Sequence, residues 1–145
     1  MGFTEAVRTV LTQKYATFSG RASRSEYWWF FLFYMLLAIA IAVLAFVVGS
    51  FSRQQGEVVI LVMVMGGLLA LALVLPILSL QVRRFHDRNI SGWWYLALII
   101  LGMVPYIGPV TSLSITIISV LRGTEGPNKF GPDPLRPEAR AEVFA

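Results

Sequence analysis

The densest group of chemically active side chains lies in residues 83–89, which read RRFHDRN. A histidine beside a carboxylate is a pairing that general acid–base catalysis uses, and neighbouring arginines are suited to holding a phosphate group. The segment therefore raises the hypothesis of an enzyme acting on a phosphorylated headgroup, with His86 and Asp87 at its centre.

The rest of the sequence does not complete such a site. His86 is the one histidine of the chain, and cysteine is absent, so no second ligand pair stands at a spacing that would hold a metal. The sequence also lacks a nucleophile elbow, a glycine-rich phosphate loop and a paired-carboxylate arrangement. We therefore expect no catalytic residues, no metal and no cofactor, and an enzyme acting on lipid headgroups is the third of three functional hypotheses.

Three long uncharged runs surround the cluster. They extend over residues 27–52, 58–82 and 90–121, in a chain of 145 residues of which 57% are hydrophobic and 14% charged. A soluble domain keeps about a quarter of its residues charged. A bilayer core of about 30 Å needs about 20 apolar residues in a helix that rises about 1.5 Å per residue. The first two runs each satisfy that requirement and predict a chain embedded in a membrane.

The third run is too long for one comfortable span and short for two. It is interrupted near its middle by Gly102, Pro105, Gly108 and Pro109. Proline lacks an amide donor and clashes with the preceding turn, so it interrupts a helix. The run is therefore predicted to form a hairpin of two short helices, at about 91–104 and 109–121.

The basic residues predict how the chain is threaded, because cytoplasmic loops collect lysine and arginine. Four basic residues precede the first run, three lie at 83–88 and four follow position 121, whereas loop 53–57 holds only Arg53, offset by Glu57. A hairpin in the third run returns the tail to the same side as the start of the chain. We therefore expect N- and C-terminal segments that are both cytoplasmic.

The predicted fold class is an all-α integral membrane protein with four transmembrane helices, the third and fourth short and forming a hairpin. Apolar side chains at helical spacing over residues 3–18 predict an amphipathic helix before them, lying on the inner membrane face or, alternatively, packed on a soluble partner. The expected organisation is an amphipathic helix in 1–20, a membrane domain in 21–122 and a Gly/Pro-rich cytoplasmic tail in 123–145. Lys129-Phe130 in that tail would fold back against the membrane face or against residues 83–89.

Several polar and aromatic side chains have predicted roles at the cytoplasmic face. Glu26 forms a capping box with Ser23 at the start of the first long helix. Asp87 orders its loop by pairing with a neighbouring arginine or with Arg21 or Arg24. The tryptophan pairs anchor two helices at the headgroup level; they are Trp28, Trp29, Trp93 and Trp94. The basic residues predicted to bind anionic headgroups or a partner are Arg21, Arg24, Arg83, Arg84 and Arg88.

Three blocks of the sequence carry a family resemblance: FSGRASRSEYWWF at 18–30, RRFHDRNISGWW at 83–94 and GTEGPNKFGPDP at 123–134. Together they resemble the bacterial inner-membrane family called domain of unknown function 805, the YhaH-like proteins. The resemblance implies a small polytopic protein of the bacterial inner membrane whose molecular function is unassigned. It supplies no catalytic residues.

The favoured functional hypothesis is a small scaffold or a partner- and lipid-binding module that acts from the cytoplasmic face. Its expected partners are anionic membrane lipids, together with a possible membrane-protein partner or a second copy of the chain. Nucleic acid is not expected, because membrane orientation already accounts for the pI of about 9.9. The alternative is an oligomeric small-solute transporter or channel. The absence of ionisable residues deep in the uncharged runs counts against ion-coupled pumping.

Overall fold

The structure, a computed structural model, describes residues 1–51 and 55–136. Its helices are α1 (Phe3–Arg8), continued by a π-helical turn (Thr9–Gln13), α2 (Arg24–Phe51), α3 (Gln55–Asp87), α4 (Gly92–Gly102) and α5 (Gly108–Val120). The predicted all-α fold with two long and two short apolar helices is confirmed. Residues 53–54 of the predicted outer loop and 137–145 of the predicted tail lie outside the described residues.

The two long helices have the dimensions and the surface of membrane-spanning segments. By length and composition, Arg24–Ser50 and Gly56–Asp87 can each cross a bilayer, and only 6% of the residues in the most apolar stretch of each are buried inside the chain. Large side chains such as Phe46 and Leu71 point outward, with 76% and 69% of their surface exposed. So much apolar surface is stable when lipid replaces water as the solvent.

The predicted hairpin in the third uncharged run is also confirmed, with helix bounds within two residues of those expected. Gly102 permits the close approach of its two arms, because a Cβ there would lie 2.8 Å from Thr111 Oγ1. α4 and α5 contain 11 and 13 residues and rise about 17 and 20 Å, which is less than a 30 Å hydrocarbon core. The bilayer must thin beside this hairpin, or the turn between its arms lies within the core.

The N-terminal helix is shorter than the predicted 3–18, since it ends at Gln13. Lys14 leaves the helical region with φ −131° and ψ 33°, and the Ser79 hydroxyl lies 3.3 Å from the Lys14 carbonyl and 3.2 Å from that of Tyr15. Val10 is fully buried in a cluster with Phe30, Leu73 and Leu80. The amphipathic segment is therefore docked on the long helices of its own chain.

Tyr15 resolves a backbone problem that proline creates inside α3. Pro76 has no amide with which to satisfy the carbonyl of Ala72, and an unsatisfied carbonyl in a membrane helix is costly. The Tyr15 hydroxyl donates a hydrogen bond to that carbonyl. The docked N-terminal segment thus supplies the donor that the helix lacks.

Replacing Tyr15 with phenylalanine is expected to lower the free energy of unfolding by about 1–3 kcal/mol, because the Ala72 carbonyl loses its donor in apolar surroundings. Reversible unfolding in mixed detergent–SDS micelles measures the change. Tyr106, which is 97% exposed, provides the matched control, and Tyr106→Phe is expected to be nearly neutral. Equal effects for the two substitutions would show that the bond to Ala72 contributes nothing.

Candidate functional site

The two long helices, α2 and α3, and the two short ones, α4 and α5, meet in one polar layer, which we call the charged end of the bundle. It contains the start of α2, the end of α3, the start of α4 and the end of α5. The amide of Ala22 donates to the carbonyl of Arg83 over 3.1 Å, and Arg84 Nε donates to the carbonyl of Ser119 over 3.0 Å. Residues that are distant in sequence are therefore joined directly at this end.

Asp87 lies between two arginines at the centre of the charged end. Arg21 Nε donates to Asp87 Oδ1 over 2.9 Å, and Arg84 Nη1 donates to Oδ2. All three side chains are at least 95% buried. Charge-assisted bonds to both oxygens make this carboxylate the connection between the segment before α2 and the last turn of α3.

Glu26 forms a second buried ion pair beside the first. Its carboxylate accepts a bond from Arg83 Nη1 over 2.5 Å, and the two residues are 2% and 0% exposed. Ser23 Oγ accepts from the Glu26 amide over 3.2 Å, as expected of a helix cap. Only this half of the predicted capping box forms, because the Glu26 side chain is engaged by Arg83. Within the described part of the chain, Arg83 Nε and Nη2 have no hydrogen-bond partner.

The burial of this cluster corrects part of the predicted headgroup-binding set. Arg21, Arg83 and Arg84 are 5%, 0% and 0% exposed, so they do not face the headgroups. The carboxylates of Asp87 and Glu26, together with backbone carbonyls, draw these guanidinium groups inward. The sequence does not reveal this arrangement, because every acceptor of Arg83 and Arg84 except Asp87 belongs to a segment far from residues 83–89 in the chain.

Of the predicted set, Arg24 and Arg88 remain nearer the surface. Arg24 is exposed, whereas Arg88 is half-buried and donates to the carbonyl of Arg122. Contact of either residue with headgroups stays a prediction.

The arginines also bind the ends of helices and the tail. Arg84 Nη2 donates to the carbonyl of Leu121, which follows α5. Arg21 donates to the carbonyls of Thr124 and Gly126, over 2.5 and 2.6 Å. Gly123 is required at this crossing, because a Cβ there would overlap the Asp87 carboxylate. The glycine beside a polar cluster was the available sequence signal for this contact.

The described part of the tail folds back on the end of α3. The amide and hydroxyl of Thr124 both donate to the carbonyl of Asp87, over 2.8 and 3.1 Å, and Asn128 Nδ2 donates to that of His86 over 2.9 Å. The Phe130 ring stacks on the His86 ring with centroids 3.8 Å apart. Lys129-Phe130 was expected either at the membrane face or against residues 83–89, and in the structure it lies against residues 83–89.

His86 and Asp87 do not form an acid–base pair. His86 Nδ1 lies 3.1 Å from the carbonyl of Gly20, while both oxygens of Asp87 are bound by arginines. In residues 1–51 and 55–136, no group of three or more histidine, aspartate or glutamate side chains is placed to hold a metal ion.

Two clefts open at the charged end. The first, the arginine cleft, has a volume of about 560 Å³ and lies between the start of α2 and the tail. Three exposed arginines line it, namely Arg24, Arg122 and Arg136. The apolar side chains of Trp28 and Leu135 line it as well. The second, the α3–α4 cleft, has a volume of about 570 Å³ and mostly apolar walls.

Both tryptophan pairs lie within the first two turns of their helices, at the charged end. Trp28 and Trp29 are each 39% exposed, and Trp93 and Trp94 are 77% and 64% exposed. Their role as anchors at the interface between lipid and water stays a prediction.

The long apolar helices, the short hairpin and the buried polar layer define a four-helix membrane protein. The sequence matches the family described as "Protein of unknown function (DUF805)" over residues 15–132, and the chain belongs to that family. This confirms the resemblance carried by the three sequence blocks.

Two proteins of Escherichia coli strain K12 are similar to the chain. Inner membrane protein YhaH is 34% identical over 122 residues, which cover 84% of this chain and 90% of YhaH. Inner membrane protein YhaI is 38% identical over 122 residues, which cover 84% of this chain and 89% of YhaI. No solved structure matches the chain.

Proposed function

We propose that the protein is a small membrane scaffold that binds anionic phospholipid headgroups in the arginine cleft, from the cytoplasmic face. The observation that carries this proposal is the set of exposed arginines around one cleft at the charged end. The residues proposed to bind the headgroup are therefore Arg24, Arg122 and Arg136, in place of the buried arginines.

The electrostatics of the cleft favour a phosphate. In the described residues, the guanidinium groups of Arg24, Arg122 and Arg136 make no ion pair or hydrogen bond. The exposed carboxylate of Glu125 also lines the cleft, as does Asp133, whose carboxylate accepts bonds from the amides of Gly126 and Leu135. Each basic side chain near an anionic membrane surface contributes about 1 kcal/mol to binding, and arginine can hold a phosphate through two parallel bonds.

The position of the cleft suits the depth of lipid headgroups. Trp28 lines it from the second turn of α2, and tryptophan rings favour the boundary between headgroups and hydrocarbon. Hydrogen bonds from Thr124 and Asn128 to the backbone carbonyls of Asp87 and His86 hold the tail against the end of α3, which limits the movement of Arg122 relative to Arg24. A rigid surface of this kind is what a scaffold needs to present bound lipid to a partner protein.

Replacing Arg24 and Arg122 together with glutamine is expected to weaken retention of phosphatidylglycerol by about 2 kcal/mol, or roughly 30-fold, if the two contributions add. Native mass spectrometry of the protein released from detergent micelles measures the bound lipid. Phosphatidylethanolamine, which has no net charge, is expected to be retained equally by the variant and the parent protein.

The matched control removes the same charge elsewhere on the exposed surface. Arg8 and Lys129 are exposed and lie outside the arginine cleft, so Arg8/Lys129→Gln is expected to leave retention within about threefold of the parent, since only the long-range field changes. If the two double variants lose phosphatidylglycerol equally, net charge rather than the cleft binds the lipid.

Flux measurements separate the scaffold from the alternative of a transporter or channel. Both clefts lie at the charged end, and neither includes residues from the opposite end of α2. Liposomes containing the protein are therefore expected to show no more leakage of small solutes than empty liposomes. Leakage that saturates with solute concentration would favour the transporter.

A cytoplasmic location of the charged end is part of the proposal, and it predicts the result of a topology experiment. A reporter that fluoresces only in the cytoplasm should be bright when fused after Ala145 and dark when inserted at Gln55. The reason is the concentration of basic residues at the charged end. A dark fusion after Ala145 would contradict the proposed orientation.

A further inference from the structure

The α3–α4 cleft differs from the arginine cleft in position and in chemistry. Leu78 and Val82 from α3 face Leu96 and Ile99 from α4 across it. It begins at His86, and Leu78 lies two turns deeper, about 12 Å along the helix axis. Leu96 and Ile99 are themselves partly exposed, so the cleft is accessible from the surrounding lipid.

His86 provides a polar group at the outer end of this apolar cleft. The residue is only 8% exposed and lines the cleft. Its Nδ1 lies 3.1 Å from the carbonyl of Gly20, and since a carbonyl only accepts, Nδ1 carries the proton. In the neutral ring Nε2 is then an acceptor, and no described residue donates a hydrogen bond to it.

The surroundings of His86 hold the ring still and leave space beside Nε2. Phe130 stacks face to face on the ring, with an interplanar angle of 3°. On the cleft side stands Gly92, where a Cβ would lie 3.4 Å from His86 Nε2 and 2.6 Å from Val82 Cγ1. The absence of a side chain at Gly92 therefore keeps the acceptor open to the cleft.

We propose that the α3–α4 cleft binds an uncharged lipid with a hydroxyl head, such as a diacylglycerol, whose hydroxyl donates to Nε2 of His86 while its chain lies between α3 and α4. The volume of about 570 Å³ is in the usual range for small-ligand sites. While the ring is neutral, a phosphodiester is excluded from this role because its oxygens offer only acceptors to an acceptor nitrogen. The site is independent of the arginine cleft, since no lining residue is shared by the two clefts.

Photo-crosslinking tests this site in the full chain. The probe is a diacylglycerol with a diazirine in one acyl chain, added to the protein in phosphatidylcholine liposomes, and mass spectrometry locates the adducts. Adducts are expected on α3 and α4 at the walls of the cleft, and unlabelled dioleoylglycerol should displace the probe. Its O-methyl ether lacks the donor, so it is expected to compete about fivefold less well.

Two variants separate the cleft from general lipid contact. Leu96→Trp fills the cleft away from His86 and is expected to reduce the adducts at least tenfold, whereas Ile100→Trp, at a more exposed position outside the cleft, should leave them unchanged. His86→Phe keeps the stacking on Phe130 and is expected to abolish the preference for the alcohol over the ether.

Three results would overturn the proposal: equal competition by alcohol and ether in the parent protein, retention of adducts in Leu96→Trp, or stronger competition by oleate than by dioleoylglycerol. The comparison of alcohol and ether needs no substitution, so it tests the role of the lipid hydroxyl even where a variant fails to fold. Arg24/Arg122→Gln should leave the adducts unchanged, which separates this site from the proposed phospholipid site.

Discussion

Replacing Asp87 with asparagine is expected to lower the free energy of unfolding by about 3–5 kcal/mol, which is among the largest effects that a single substitution in this chain should have. The amide has nearly the same shape as the carboxylate but carries no charge. Arg21 and Arg84, 5% and 0% exposed, would then remain buried without their counterion. Unfolding in mixed detergent–SDS micelles, where anionic lipid is absent, measures the loss.

The control for this substitution removes a carboxylate that has no buried arginine to neutralise. Glu125 is exposed, so Glu125→Gln is expected to change the free energy of unfolding by less than about 0.5 kcal/mol. A loss in Asp87→Asn no greater than that in Glu125→Gln would mean that the buried pairs contribute nothing to stability.

Replacing Glu26 with glutamine is expected to lower the free energy of unfolding by a similar amount, about 3–5 kcal/mol. Arg83 is fully buried, and its bond to Glu26 is the one ion pair it makes in the described residues. The backbone amide of Glu26 would still be capped by Ser23, so loss of the helix cap does not account for the effect.

Ser23→Ala separates the two roles at the start of α2. It removes the cap and leaves the ion pair, and a lost cap costs about 1 kcal/mol. Glu26→Gln should therefore be clearly the more damaging of the two substitutions in the same unfolding experiment. The opposite order would show that capping, and not the pair with Arg83, makes Glu26 important.

The sequence alone predicted the helices well because their causes are local. A bilayer requires apolar runs of a given length, and Pro105 and Pro109 with their neighbouring glycines interrupt the third run. The N-terminal helix was predicted too long because its end depends on Ser79, a residue 65 positions from Lys14. Helical periodicity continues to Phe18, but tertiary hydrogen bonds end the helix at Gln13.

The charged end was only partly predictable, because its contacts join segments far apart in the chain. Pairing of Asp87 with an arginine could be anticipated from charge, and the structure places it against Arg21 and Arg84 together. The burial of Arg83 and Arg84 could not be anticipated, since arginines at the end of a membrane helix normally reach the headgroups. The tail carbonyls that satisfy Arg21 have no side-chain signal in the sequence.

We propose two roles for the arginines of the charged end: the buried ones hold the fold together, and the exposed ones bind lipid. The shift in thermal unfolding midpoint caused by added phosphatidylglycerol tests this division most directly, because a bound ligand stabilises the native state. Asp87→Asn should have a lower midpoint without lipid but an undiminished shift. Arg24/Arg122→Gln should keep the midpoint of the parent protein and lose most of the shift. A full shift in Arg24/Arg122→Gln, or a lost shift in Asp87→Asn, would contradict the account.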